Sequence, residues 1–136
     1  MTTSRRTPAT VAPFAVSSLT AVEGAVLVNA TGADNTAALP AGASPDPTTI
    51  AILGLSLQAV VPAQTGADVV TSGIFPGVAA GSITRGQLLT VGNSSGGVIV
   101  AAPGAGSNVA TIGYAMESAS SGERVSIDIR IGSLQG

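Results

Sequence analysis

Hydrophobic and polar positions alternate one by one near the C-terminus: Val125, Ile127, Ile129 and Ile131 fall on one face, Arg124, Ser126, Asp128 and Arg130 on the other. A period of two with β-branched residues on the apolar side predicts a strand that is covered on one face and wet on the other. Burying those four aliphatic side chains stabilises the fold by about 1.5–3 kcal/mol each where the cover is complete. Ahead of it, Ala119-Ser-Ser-Gly122 supplies turn residues and residues 112–116 the preceding strand, so residues 113–131 read as a hairpin.

The same patterning predicts strands upstream. Residues 19–28 are strand-like with a break at Glu23-Gly24, and Ala25-Val-Leu-Val28 is fully apolar. Residues 50–61 and 67–71 read as a second hairpin turned through Pro62-Ala-Gln-Thr-Gly66, followed by a hydrophobic corner at Ile74-Phe-Pro-Gly77. Residues 83–91 and 98–102 pair across the turn Gly92-Asn-Ser-Ser-Gly-Gly97. Residues 29–49, with Pro40, Pro45 and Pro47, read as a loop, and residues 1–17, rich in Thr, Ser and Pro, as an extended arm ahead of one domain over residues 18–136.

Two stretches echo each other. Ala51-Ile-Leu-Gly54-Leu-Ser-Leu57-Gln resembles Ala110-Thr-Ile-Gly113-Tyr-Ala-Met116-Glu, and each leads through a turn Gly into a Val-containing strand, Gly66-Ala-Asp-Val69 and Gly122-Glu-Arg-Val125. Gly24-Ala-Val-Leu27 likewise echoes Gly86-Gln-Leu-Leu89. In this alignment the first copy has the longer turn. The expectation is an all-β fold, a small barrel or sandwich built from two similar hairpin units, with an extended N-terminal arm.

Composition narrows the core. The chain is 45% hydrophobic but only 2% aromatic, so small aliphatics must fill it, punctuated by 18 Gly and 8 Pro. At 136 residues it is long enough for one domain. Charge is sparse at 9%, and the five basic residues, all Arg, are too scattered for a nucleic-acid footprint. A low-charge, apolar-leaning surface fits a chain covered by partners. No signal peptide is visible, and the longest apolar tract, residues 50–63, is too short and too interrupted to span a bilayer.

Candidate chemistry is thin. With no His, Cys or Lys, the usual general base, thiol nucleophile and amine are missing, and no metal or cofactor is expected. Gly92-Asn-Ser94-Ser-Gly96 spells a nucleophile elbow but lacks a histidine partner and a following helix, so it reads as a turn. Glu117 and Glu123 flank one hairpin turn and invite a glycosidase reading; without aromatic platforms they read better as solvated hairpin charges. Asp34, Asp46 and Asp68 are isolated in turn-rich sequence, where Asx-turns account for them. Asn29-Ala-Thr31 and Asn93-Ser-Ser95 fit a glycosylation sequon, informative only in a secreted eukaryotic protein.

Gly81-Ser-Ile-Thr-Arg-Gly86-Gln-Leu-Leu-Thr-Val91, Val98-Ile-Val-Ala-Ala102 and Ile112-Gly-Tyr-Ala-Met-Glu117, followed by Gly122-Glu-Arg-Val125, resemble a spaced Gly and aliphatic pattern of the capsid decoration, or cement, proteins of tailed bacteriophages. Gln87 stands where that family usually carries an acidic residue. The resemblance implies a homotrimer on the capsid surface of the virion, seated at local threefold axes and bridging subunits of the major capsid protein, with no nucleic-acid or membrane partner. On that reading Arg5, Arg6 and Phe14 of the arm contact the lattice, and Ile74, Phe75 and Pro76 form a subunit seam. A β-rich host-recognition module of a phage fibre or spike is the competing expectation, though scarce aromatics count against glycan binding.

Overall fold

The computed structural model describes residues 6–30, 34–41 and 50–136. Its elements are β1 (Thr7–Ala15), β2 (Val26–Asn29), β3 (Ala37–Ala38), β4 (Ile52–Ser56), β5 (Gly66–Val78), β6 (Leu88–Val91), β7 (Val98–Val100), β8 (Asn108–Ala115) and β9 (Arg124–Gln135), with no helix among the described residues. They form one curled sheet, a half-barrel, in the order β3-β2-β4-β5-β9-β8-β6-β7, and β1 adds to β5. Every strand ladder is antiparallel. The expected hairpins are present as β4–β5, β6–β7 and β8–β9.

The echo in the sequence is a structural duplication, and it reaches further than the sequence suggests. Gly54 pairs with Leu27 as Gly113 pairs with Leu89. The Gly24 N–H donates to the Ser56 carbonyl and the Gly86 N–H to the Ala115 carbonyl, each at 2.8 Å. Isolated bridges join Ala21 to Val60 and Ile83 to Ala119. Continuing this register, Pro13 opposite Asp68 matches Pro76 opposite Ser126, and Ala12 opposite Val69 matches Phe75 opposite Ile127. Each unit therefore has five strands. The first is β1, β2, β3, β4 and the start of β5; the second is the end of β5, β6, β7, β8 and the start of β9. Strand β5 closes one unit and opens the next without a break.

Three expectations change in consequence. The arm over residues 1–17 contains β1, the opening strand of the first unit. The corner at Ile74-Phe-Pro-Gly77 is uninterrupted strand, the second unit's counterpart of β1. Proline is tolerated at both places because the far side of the strand carries no ladder there: β1 pairs only with β5, and the β1 ladder on the edge of β5 opposite β9 ends at Ile74, short of Pro76. The first turn is longer than the second by one residue only, Thr65, rather than by the larger difference the sequence alignment suggests. Gly66 is the first residue of β5, paired with Ala15, and the true counterpart of Glu123 is Gln64.

That correspondence rests on a shared device. The Gln64 Oε1 accepts from the Val61 N–H (2.9 Å) while the Gln64 N–H donates to the Val61 carbonyl (3.0 Å). Glu123 does the same with Ser120, at 2.6 and 3.0 Å. The side-chain half of each clasp satisfies a turn N–H that would otherwise face water or nothing. Gln64→Ala and Glu123→Ala should each lower the unfolding free energy by about 1 kcal/mol in urea titrations; unchanged midpoints for both would show the clasps to be dispensable.

The units stack head to tail, which explains where the sequence runs apolar and where it alternates. Ala21, Leu27, Val60, Ala67 and Val69 form the first unit's core with Val16, Leu19 and Ala37, and Phe14, Leu39 and Leu53 pack against it. The counterparts of Ala21, Leu27, Ala67 and Val69, namely Ile83, Leu89, Val125 and Ile127, lie in a second, larger core with Ile112, the counterpart of Leu53, and Ala119, the counterpart of Val60, packs against it. That second core is roofed by the back of the first unit, through Val26, Val28, Leu55 and Val70. So β2 and β4 are covered on both faces, and Ala25-Val-Leu-Val28 carries no alternation. The same positions on the back of the second unit are Leu88, Thr90, Tyr114 and Asp128. Tyr114 is 44% exposed there, and the Thr90 hydroxyl donates to the Ala110 carbonyl at 2.6 Å. β9 alternates as predicted, with two exceptions. Ser126 is buried beneath Glu117, and Ile131 is 42% exposed because β9 has left β5 by then.

Candidate functional site

Glu23, in the break between the predicted strands, ties the two units and the start of β1 together. Its carboxylate pairs with the Arg6 guanidinium, and its backbone carbonyl accepts from Arg124 Nη1 at the start of β9. The Arg6 guanidinium also lies over the Phe75 ring, 5.4 Å from its centroid. Gly24, next in the chain, is held at φ +81°, where a side chain would run into the Pro76 carbonyl. A cation over an aromatic face in a partly desolvated place is worth about 0.5–2 kcal/mol, and an ion pair this exposed adds less than about 1 kcal/mol. The Arg6 side chain remains 55% exposed.

This geometry redistributes the residues expected to act. Arg6 and Phe75, predicted to serve different surfaces, meet at one place. Phe75 is 1% exposed and is the largest fully buried side chain of the core, and Pro76 is buried beside it. Neither side chain is available to a neighbouring subunit. Ile74 is half-buried, flanked by Thr7 on one ladder and Asp128 on the other. Phe14 is half-buried against the first core, so its ring holds β1 in place. Arg5 lies outside the described residues. Glu23 and Arg124 carry no signal in their spacing that would have singled them out.

The remaining candidates resolve into structure. Glu117 Oε1 accepts from the Ser126 N–H (3.0 Å) and faces its hydroxyl at 3.4 Å, clasping β9, while Glu123 clasps its own turn. In the elbow-like sequence, Asn93 Oδ1 accepts from the Ser95 and Gly97 N–H groups at 3.1 and 2.9 Å, an Asx-turn. The Gly96 carbonyl of that turn accepts from the Val26 N–H at 2.8 Å, joining the units again. Among the described residues, no three His, Cys, Asp or Glu side chains gather in a metal-binding group.

No protein-family profile matches the chain, and no curated protein matches it. Its fold is shared with a solved structure, the N base of the head fibre protein gp8.5 of bacteriophage phi29. The two superpose with a TM-score of 0.59 over 93% of this chain and 98% of that one, at 19% sequence identity.

Proposed function

We propose that this chain is a non-catalytic structural protein of a phage head, a decoration protein that binds the capsid surface of the virion as a homotrimer. In this reading it sits at local threefold positions and stabilises the lattice of the major capsid protein, without cofactor, nucleic acid or membrane. The likeness to the head fibre base, nearly end to end in both chains, carries the reading. The spaced glycines and aliphatics of residues 81–125 support it, as does a surface with few charges. Arg5 and Arg6, which precede the exposed strand β1 in the sequence, supply charged contacts to the lattice. Many weak, symmetric contacts then sum to firm attachment.

Cosedimentation with phage heads tests this. The wild-type chain should pellet with heads, and the Arg5→Ser/Arg6→Ser variant should bind about tenfold more weakly, a change of ~1.4 kcal/mol. Failure of the wild-type chain to pellet would sink the proposal, and light scattering that finds only monomer would remove the trimer. A second reading follows from the same neighbour's being part of a fibre: a β-rich host-recognition module of a phage fibre or spike. Glycan-array binding without head binding would favour it.

A further inference from the structure

The duplication lets each unit serve as a control for the other. At one end of each unit an isolated bridge and a clasped turn form a tip: Ala21–Val60 with Gln64 in the first, Ile83–Ala119 with Glu123 in the second. Each bridge exchanges the same two backbone hydrogen bonds, at 3.0 and 2.8 Å in the first unit and 2.8 and 2.9 Å in the second. A consistent difference between the exposed side chains of the two tips is therefore not set by the fold.

The difference is one of polarity and charge. Val22, Val61, Pro62 and Ala63 are exposed at the first tip, the two valines by 51% and 53%. The corresponding positions of the second tip are Thr84, Ser120, Ser121 and Gly122. Gln58 and Gln64 stand where Glu117 and Glu123 stand, and Gln64 makes its turn clasp as Glu123 does. The third charged position of the second tip, Arg85, corresponds to Glu23, whose carboxylate is taken by Arg6. No charged residue occurs in residues 7–22 or 57–67. An amide in place of a carboxylate of the same shape keeps the clasp and removes a charge that is costly to take out of water.

The uncharged surface extends beyond the turn. Pro13 of β1 lines a shallow pocket together with Ala59 and Gln64, joining the exposed side of β1 to the tip, and Asp68 on β5 marks the margin. Arg6 marks another: it holds Glu23, next to Val22, and with its side chain 55% exposed keeps donors for a second carboxylate. An apolar centre with charges at the rim is the anatomy of a protein interface. A turn is convex, so copies of this tip would bury little against one another, whereas a recess in another protein fits it.

We infer that the first tip is the end by which the chain seats on the head, entering an uncharged, apolar recess of the head surface that carries a carboxylate at its edge for Arg6. The second tip, with Arg85, Glu117 and Glu123, stays in water. Bridge and clasp hold the first tip in shape before it binds, so little ordering is required at contact. The inference rests on the phage-head reading above and names the part of this chain that makes the contact.

Cosedimentation with phage heads, alongside a thermal melt of each variant, tests this. Val22→Thr/Val61→Ser gives the first tip the second tip's residues, which the same bridge and clasp already accommodate. It should melt near wild type and bind heads about tenfold more weakly. Gln58→Glu/Gln64→Glu should likewise keep the fold, since Glu123 makes the same clasp, and weaken binding by at least about tenfold. Glu117→Gln/Glu123→Gln, at the second tip, should pellet like wild type. If either first-tip variant binds heads as wild type does, the inference is overturned and the head reading stands. It is overturned too by a second-tip variant that loses binding, or by first-tip variants that lower the particle mass of the chain in solution, which would make the tip a seam between copies. A wild-type chain that does not pellet removes the head reading and the inference together.

Discussion

Gly113→Val is expected to leave no folded protein at room temperature. A Cβ at this position would sit 2.0 Å from the Asp128 carbonyl oxygen and 2.9 Å from the Arg130 nitrogen, with φ at +152°. Both contacts are main-chain atoms of β9, which cannot retreat without opening the β8–β9 ladder. A cost above about 4 kcal/mol is a large share of the roughly 5–15 kcal/mol that holds a domain of this kind together. Gly54→Val should do the same to the first unit, where the obstruction is the Val70 carbonyl at 2.1 Å. Gly86→Ala is the control. Its φ is +93° but its surroundings are open, so only the backbone conformation is penalised, at about 1–2 kcal/mol. Circular dichroism and thermal melts read all three, and a Gly113→Val protein melting like wild type would refute the close approach.

Phe75→Ala has the next largest expected effect, a loss of about 3–5 kcal/mol from the cavity it leaves in the larger core. The Arg6 guanidinium would lose its aromatic seat as well. Phe75→Leu should cost clearly less, about 1–2 kcal/mol, since it removes less volume. Urea unfolding monitored on the isolated chain distinguishes a core residue from a seam residue. Wild-type stability with an altered particle mass would show that Phe75 belongs to an interface after all.

Much of this architecture was legible in the residues, and the misreadings share a cause. The β8–β9 hairpin was visible because one face of β9 is wet, so period two survives in the sequence. The run from Ala25 to Val28 gave a strand but no facing, since the two cores cover both of its sides. The duplication was detectable through Gly54 and Gly113, which are forced to be glycine by a backbone approach. Its extent was not, because the matching turns are held by Gln64 and Glu123, side chains that differ in identity while making the same bond. Pro13 and Pro76 argued twice against strand, at equivalent ladder positions, and twice the lone-sided edge accommodated them. The Glu23 junction was illegible because its partners, Arg6, Phe75 and Arg124, are brought together only by the stacking of the units. At Phe75 and Pro76 burial took the place of the expected surface role for the same reason.

Strand β5 belongs to both units, and this has a mechanical consequence. Two barrels joined by a linker can swing, and a load passed between them bends the linker first. Here the joint is a single extended backbone of 13 residues, laddered to β1 and β4 at one end and to β9 at the other. A pull on one unit is transmitted along covalent bonds already near full extension and shared as shear across rows of parallel-loaded hydrogen bonds. The molecule is thereby a stiff strut with no pivot, suited to resisting strain between whatever its two ends grip.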